Sequence, residues 1–385
     1  MNRIMSDIKK QILFTPGPLM TTDTVKRAMF KDFASRDIRF MEAVKSIRKK
    51  MITIAQLDPN KWTCILQQGA GTMAIEAAIS TTVPKLSPKY LLLNSGKYAE
   101  RQGQIVKRLG FPMISLKSEE GKEIDFNALN ELLKSNSDVT TVGYVHHETS
   151  TGMIYPAEDI GRIVRQHIPN AVIIMDAMSS FGAIPVNVEK ACDILITSAN
   201  KCFHGVPGFA IILARKELIK SCKGQSRSSC LDLYAQYLSF EKTNQFIITP
   251  PVHTIMAFYQ ALIEYEEEGG IKGRSKSYEL KSRIVLEEAK KLGFTLFLNE
   301  KKPSFGHIVV CLNMPSDPRW NFKKFYLFLN QRGFILYPGK ASHAETFRIG
   351  IIGSTSCKDM KELMNCAREA LLSMGIERLG SKSNL

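Results

Sequence analysis

A carboxylate and an amine follow two neighbouring predicted strands, at the point where each strand is expected to end. The apolar run 171–175 leads directly into Asp176, and the run 193–197 is followed by three small residues and then Lys201. Ligands of parallel sheets bind outside the carboxyl ends of the strands, so both side chains are expected at a ligand site. A lysine beyond a buried strand, among small residues, is poorly placed for an ordinary solvated role.

A glycine-rich turn follows an earlier apolar strand and opens a predicted helix. Gly69, Gly71 and Thr72 lie in this turn, whose spacing fits the G-x-G-x-x-G/A pattern of dinucleotide-binding folds. That use needs an acidic residue after the next strand to bind the ribose, whereas Asn94 stands there. Glycines that admit a close backbone approach, and a helix N-terminus with free N–H groups, still favour an anion. The turn therefore predicts a phosphate site without identifying the phosphate.

These three features together match the needs of pyridoxal 5'-phosphate (PLP) chemistry. Such an enzyme requires a lysine for the covalent link, a carboxylate beside the pyridine nitrogen and a cradle for the phosphate. Lys201, Asp176 and the turn around Gly71 supply one of each. The sequence predicts a PLP enzyme. A dinucleotide-dependent oxidoreductase, weakened by Asn94, is the alternative of another class, and a non-enzymatic binding protein on the same scaffold is a further one.

The elements that must position these residues form an alternating pattern. Strands are predicted at 63–66, 90–93, 113–116, 140–145, 171–175, 193–197 and 209–213, with helices at 72–81, 98–109, 126–134 and 158–167. Alternating strands and helices are typical of an α/β fold, so we expect a large domain with a mostly parallel seven-stranded sheet covered on both faces.

The pattern changes after Pro250 and Pro251. A helical stretch at 254–292, interrupted near Gly269, precedes strands at 308–312, 333–336 and 346–351 and helices at 321–331 and 358–373. This predicts a smaller α+β C-terminal domain. We expect an N-terminal arm at 1–20, a large cofactor-binding domain at 21–253 and a small domain at 254–385, against which the arm can pack. The polar tail at 380–385 is expected to fray.

Composition narrows the classes of function. The 385-residue chain has a formal net charge of +15, but its basic residues are spread along the whole length without a nucleic-acid-binding motif. We expect small anionic substrates and no nucleic-acid partner. No apolar run is long enough to cross a membrane, and the N-terminus shows no signal peptide. Eight scattered cysteines without a CxxC pair suit reduced thiols, so a cytoplasmic location is expected.

A metal site is not predicted. His147-Glu148 resembles the start of the H-E-x-x-H zinc motif, but Thr151 stands where the second histidine is needed. The pair also follows a strand, whereas the motif requires a helix.

Several segments resemble the class V aminotransferases of the fold-type I PLP superfamily, and within them the 2-aminoethylphosphonate–pyruvate transaminases. The resemblance spans roughly residues 12 to 355. Its segments are Phe14-Thr15-Pro16-Gly17-Pro18-Leu19, Ser35-Arg36-Asp37, Gln68-Gly69-Ala70-Gly71-Thr72, His147-Glu148-Thr149-Ser150-Thr151-Gly152, Asp176-Ala177-Met178-Ser179-Ser180-Phe181-Gly182, Ser198-Ala199-Asn200-Lys201-Cys202, Gly205-Val206-Pro207-Gly208-Phe209, Leu231-Asp232-Leu233-Tyr234, Leu336-Tyr337-Pro338-Gly339-Lys340 and Phe347-Arg348-Ile349-Gly350.

The resemblance implies a reaction and a fold. It implies a PLP-dependent transfer of the amine of 2-aminoethylphosphonate to pyruvate, which gives phosphonoacetaldehyde and L-alanine. An alanine–glyoxylate or serine–pyruvate type aminotransferase of the same fold is the alternative within the family. The chain departs from the family's usual pattern at Ala70, Ser150 and the pair Phe203-His204, but no catalytic group is lost.

The resemblance also implies roles for individual residues. Lys201 would bind the cofactor and carry the proton during the transfer, and Asp176 would keep the ring nitrogen protonated. Arg348 would bind the carboxylate or phosphonate of the substrates. The other cofactor-binding residues implied are Gly71 and Thr72 at the phosphate, Tyr98 stacked on the ring, Thr149 near the phenolic oxygen, Asn200 next to the lysine, and Thr249.

Thr249 carries an implication of its own. It precedes Pro250 and resembles a residue that reaches the cofactor phosphate of the neighbouring subunit, so a homodimer with shared sites is expected.

Overall fold

The structure is a computed structural model that describes residues 11–339 and 344–380. Lys340 of the Leu336–Lys340 segment, the first ten residues of the expected arm and residues 381–385 of the expected tail lie outside the described residues.

The elements of the first half alternate as expected. They are β1 (Ile12–Leu13), α1 (Asp23–Arg27), α2 (Ile38–Ile54), β2 (Trp62–Gln68), α3 (Gly71–Thr82), β3 (Tyr90–Asn94), α4 (Lys97–Arg108), β4 (Met113–Lys117), α5 (Phe126–Lys134), β5 (Thr141–Val145), β6 (His147–Glu148), β7 (Met153–Ile154), α6 (Ala157–His167), β8 (Val172–Asp176), α7 (Val188–Ala191), β9 (Ile194–Ser198) and β10 (Phe209–Arg215).

The second half is richer in helices. It contains α8 (Lys216–Ser221), α9 (Leu233–Thr243), α10 (Val252–Glu267), α11 (Gly270–Lys291), β11 (Val309–Asn313), α12 (Phe322–Gln331), β12 (Phe334–Ile335), β13 (Tyr337–Pro338), β14 (Thr346–Gly350) and α13 (Cys357–Ser373). The long helix expected at 254–292 is two helices, which part at Gly269 and Gly270 with φ angles of 97° and 64°.

The main sheet confirms the expected α/β fold. Its seven strands lie in the order β2-β10-β9-β8-β5-β3-β4. Only β10 runs against the others, because it pairs antiparallel with both β2 and β9 while the remaining pairs are parallel. Most strands are buried along nearly their whole length, as expected when helices cover both faces of a parallel sheet.

The carboxyl ends of the parallel strands meet at one edge of this sheet. Val145 of β5 lies opposite Asp176 of β8, and Asp176 lies opposite Ile196 of β9. Helix α3 begins three residues after β2, with Ala70 at its N-cap position and no side-chain cap. The sheet therefore brings Asp176, the segment before Lys201 and the N-terminus of α3 to the same region.

Two hydrophobic clusters divide most of the apolar core. One surrounds the seven-stranded sheet and includes α10, through residues such as Phe258 and Leu262. The other joins α11, α12, α13 and the sheet β11-β14-β13 with Phe14, Leu19 and Cys202. Strand β1 pairs with β12, so residues 12–13 of the expected arm pack with this second cluster. The domain boundary at 253/254 stays a prediction.

The described parts of the chain contain no helix with both the length and the apolar character that crossing a bilayer requires.

Candidate active site

A cavity of about 430 Å³ lies at the carboxyl edge of the sheet, beside the N-terminus of α3. Its volume is in the range of small-molecule and cofactor sites. Of the residues singled out in the sequence, it is lined by Gly71, Thr72, Tyr98, Thr149, Asp176, Asn200 and Lys201. Thr249 and Arg348 are not among its lining residues.

Asp176 is the buried acid of this cavity. It ends β8, is 3% exposed, and its Oδ1 accepts the Met178 N–H at 2.9 Å. Burial raises the pKa of Asp176 to about 7, and the nearby Glu148 charge contributes in the same direction. A cationic group beside this carboxyl would lower its pKa again, because an opposite charge favours the ionised form. The position is suited to a protonated ring nitrogen.

Lys201 follows the last residue of β9 by three positions and contacts the N-terminal segment. Its Nζ donates to the Pro16 carbonyl, and burial lowers its pKa. Gly17, whose φ is 120°, leaves the space for the lysine: a Cβ there would lie 2.6 Å from Nζ. A lysine amine with a lowered pKa has a larger neutral fraction, which is the form that attacks a carbonyl carbon.

The glycine-rich turn offers an anion site at the start of α3. Ala70 supplies no side-chain cap, so the first N–H groups of the helix are not satisfied by its N-cap side chain. The Thr72 hydroxyl accepts from the Arg101 guanidinium at 3.4 Å, and Arg101 also lies 5.2 Å from the centre of the Tyr98 ring. Helix N–H groups, a hydroxyl and a guanidinium thus converge where a phosphate was predicted.

Glu148 fixes the helix that carries Tyr98 and Arg101. It is fully buried, and its carboxylate accepts the Tyr98 N–H at 3.0 Å and the Ser150 hydroxyl at 2.7 Å. Gly96 permits this approach, since a Cβ there would lie 2.7 Å from the Glu148 side chain. The carboxylate therefore serves as the N-terminal cap of α4, a function that Gly96 at the N-cap position cannot supply.

Arg348 lies behind the cavity wall. It is 1% exposed on β14, and its Nη1 donates to the Thr149 carbonyl at 3.0 Å while Nη2 donates to the Pro338 carbonyl at 3.1 Å. The structure brings Arg348 next to Thr149 but engages its guanidinium with backbone oxygens. A substrate-binding role stays a prediction that requires the guanidinium to exchange a carbonyl for an anion.

Thr249 lies at the surface near the glycine-rich turn. The Gln68 side chain donates to the Thr249 carbonyl at 2.7 Å and to the Ile248 carbonyl at 3.0 Å. Thr249 is exposed and is not among the residues that line the cavity of its own chain.

The lining residues that the sequence did not single out for the site include Arg101, His147, Met178, Ser198 and Pro207. Arg101 could have been found from the helical spacing, because it lies one turn after Tyr98 on the same helix. His147 is held by Ser179, whose hydroxyl donates to the His147 carbonyl and accepts from Nδ1 at 2.8 Å. No pattern within the sequence indicates that pair.

The residues present fit PLP. The Ser198 hydroxyl is buried at the cavity wall and has no hydrogen-bond partner among the described residues. A polar atom of a bound cofactor would satisfy it. Asp176 would hold the ring nitrogen, the turn at Gly71 and Thr72 would hold the phosphate, and Lys201 would form the covalent link. Tyr98 and Met178 both line the cavity that the ring would fill.

The sequence profile of the family "Aminotransferase class-V" matches residues 24–360. Among curated proteins, a 2-aminoethylphosphonate–pyruvate transaminase of Bacteroides fragilis is 39% identical over 365 residues, which cover 94% of this chain and 99% of that protein. A bifunctional phosphonoacetaldehyde hydrolase/aminoethylphosphonate transaminase of Clostridioides difficile is 38% identical over 91% of this chain, and the match spans only 55% of that longer protein.

Solved structures share the fold. An alanine–glyoxylate aminotransferase of Nostoc sp. superposes with a TM-score of 0.87 at 19% identity, covering 95% of this chain and 97% of the other. At this level of identity the likeness concerns the fold alone.

Proposed function

The chain belongs to the class V aminotransferase family, and from this we propose that it transfers the amine of 2-aminoethylphosphonate to pyruvate, giving phosphonoacetaldehyde and L-alanine. It is a PLP-dependent aminotransferase. The observation that carries the chemistry is the single cavity that Asp176, Lys201 and the α3 N-terminus share. The substrate pair is supported by the 39% identity that extends over almost the full length of a transaminase of that name.

Each residue contributes a defined step. When bound, PLP supplies an electron sink that stabilises negative charge at the amino carbon of the substrate. The Asp176 carboxylate would hold the proton on the ring nitrogen, which would keep that sink effective. The Lys201 Nζ would act as general base and then as general acid, taking up the proton of the substrate's amino carbon and releasing it again.

We assign substrate binding to Arg348. A guanidinium presents a planar fork of donors that matches both carboxylate and phosphonate oxygens, so one arginine can serve both substrates in turn. Its guanidinium donates to the carbonyl of Thr149, the residue expected near the phenolic oxygen of the cofactor. Because a single site serves two substrates, ping-pong kinetics with parallel double-reciprocal lines are expected.

The same reasoning leads to a homodimer with shared sites. The exposed apolar side chains include Phe30, Ile38, Met73, Ile247 and Ile248. The last two immediately precede Thr249, which does not line the cavity of its own chain. A second copy that covers Ile247 and Ile248 would remove these side chains from water and bring Thr249 to a cofactor phosphate of the partner.

A donor comparison tests the substrates. Purified protein with PLP is supplied with 2-aminoethylphosphonate and pyruvate, with serine and pyruvate, or with alanine or serine and glyoxylate, and formation of phosphonoacetaldehyde or of the new keto acid is measured. The proposal predicts the highest kcat/KM for 2-aminoethylphosphonate. A preference for alanine or serine with glyoxylate as acceptor would contradict it and support the alternative within the same family.

A further inference from the structure

A chain of buried polar groups begins immediately after Lys201. Arg274 of α11 is 2% exposed, and its guanidinium donates to the Cys202 carbonyl and pairs with Glu268 at 2.6 Å. Tyr278 lies one turn further along the same helix. Its hydroxyl lies 2.7 Å from the Nε2 of His204. The loop that carries the lysine is therefore attached to α11 at two points, one residue and three residues after it.

His204 extends this chain to the segment that follows Arg348. Its Nε2 accepts the Gly353 N–H at 3.0 Å. The Gly353 carbonyl in turn accepts from the buried Lys281 of α11 at 3.3 Å, so two side chains hold both polar groups of this glycine. Gly353 comes three residues after β14, the strand that carries Arg348. One network of side chains thus contacts both the loop after Lys201 and the segment after Arg348.

The contacts require a neutral imidazole. Nε2 accepts an N–H, so the ring proton is on Nδ1, and protonating Nε2 would set two N–H groups against each other. Arg274 and Lys281 face the ring from α11, and together with burial they lower the pKa of His204 well below its usual value. The imidazole therefore acts as a fixed acceptor across the pH range in which an aminotransferase works.

The backbone of His204 is also unusual. Its φ is 57°, in the left-handed region that non-glycine residues rarely adopt. Such a conformation persists when surrounding contacts impose it. Phe203, the preceding residue, is fully buried against Tyr265 and Phe258, so packing and hydrogen bonding hold the two residues together.

We propose that His204 is a positioning residue, which with Tyr278 and Arg274 fixes the loop after Lys201 relative to the segment after Arg348. The inference rests on the proposed function, because it assigns His204 a role through Lys201. Loosening this loop would admit water to Lys201 and weaken the burial that lowers its pKa.

Three variants and a control test the proposal. His204→Leu removes the acceptor, His204→Gln retains an acceptor oxygen, and Tyr278→Phe removes only a hydroxyl. His307→Leu is the matched control, because His307 also contacts α11, through Ser282 at 3.1 Å. Within the described residues, His307 makes no hydrogen bond to residues 202–204 or 353. For each, kcat, KM for pyruvate, the thermal midpoint and the pH midpoint of the visible absorbance of bound PLP are measured.

The expected result separates positioning from stability. His204→Leu should lower kcat about tenfold, as expected for loss of one buried hydrogen-bond acceptor, and raise the absorbance pH midpoint by about half a unit. Tyr278→Phe should change both in the same direction by less, and His204→Gln should stay within about threefold of wild type. His307→Leu should change only the thermal midpoint.

Two results would overturn the inference. One is a folded His204→Leu whose kcat and absorbance midpoint match those of His307→Leu. If His204→Leu does not fold, the other is a Tyr278→Phe with wild-type values. Wild-type protein that shows neither the absorbance nor transamination would refute the proposed function itself, which is a distinguishable outcome.

Discussion

Burial of the Asp176 carboxyl group disfavours its ionised form. A cationic ring nitrogen of the bound cofactor would offset this cost. In the protein without cofactor the pKa of Asp176 is about 7, against 3.8 for an ordinary aspartate. The folded state therefore binds a proton more tightly than the unfolded state between these values, and this group makes folding less favourable as pH rises from about 4 to about 7.

Asp176→Asn removes that dependence. In the absence of PLP, the variant should gain stability relative to wild type as pH rises from 4 to 7, by up to about 1.4 kcal/mol per pH unit. Urea unfolding of both apo proteins at pH 4.5 and 7.5 measures this, and the histidines cancel because both chains contain them. Asp125→Asn, at an exposed helix cap, should follow wild type. Equal pH dependence in wild type and Asp176→Asn would show that the carboxyl is not held in a desolvated site.

At the scale of elements, the sequence predicted well what depends on periodicity. All seven strands of the sheet and the four helices predicted between them lie close to their expected positions, because apolar periodicity is a local signal. The short helix α7 between β8 and β9 was not predicted. Contacts between distant segments could not be predicted in this way. Glu148 caps α4 from 50 residues away in the chain, and Pro16 contacts Lys201 from 185 residues away. The sequence singled out Arg348, but it did not predict that the guanidinium donates to the carbonyls of Thr149 and Pro338.

The turn at Pro16 and Gly17 packs against the Lys201 side chain, and a substitution there tests this contact. Gly17→Ala should reduce PLP incorporation and destabilise the fold by about 1–3 kcal/mol, because the new Cβ meets the Lys201 side chain at a φ of 120°. Gly224→Ala is the control: its φ is also positive, at 69°, but nothing lies within 4 Å of the new Cβ. Thermal melts and bound PLP per chain are compared. Equal PLP content in the two variants would contradict the close contact with the lysine.

At the scale of the whole molecule, the candidate residues lie in both parts of the core. Asp176 ends a strand of the main sheet, whereas Arg348 lies on β14, whose Phe347 and Ile349 belong to the second cluster. Phe14 and Cys202 belong to that cluster too. The sequence predicted both parts and their residues, but their mutual arrangement depends on tertiary packing that no local pattern encodes.

The proposed homodimer predicts complementation. Lys201→Ala and Thr249→Trp are each expected to be inactive alone, and mixed refolding should restore part of the activity, since a mixed dimer contains one intact site. Each variant refolded by itself is the control. Wild-type protein that sediments as an active monomer at assay concentration would rule out shared sites.

Borohydride reduction tests the covalent attachment of PLP to Lys201. The PLP-loaded protein is reduced and digested, and the peptide that carries the pyridoxyl group is identified by mass spectrometry. We predict modification at Lys201, and its loss in Lys201→Ala but not in Lys89→Ala, whose surface lysine pairs with Asp138. A pyridoxyl group on another lysine, or none in protein that transaminates, would contradict the assignment.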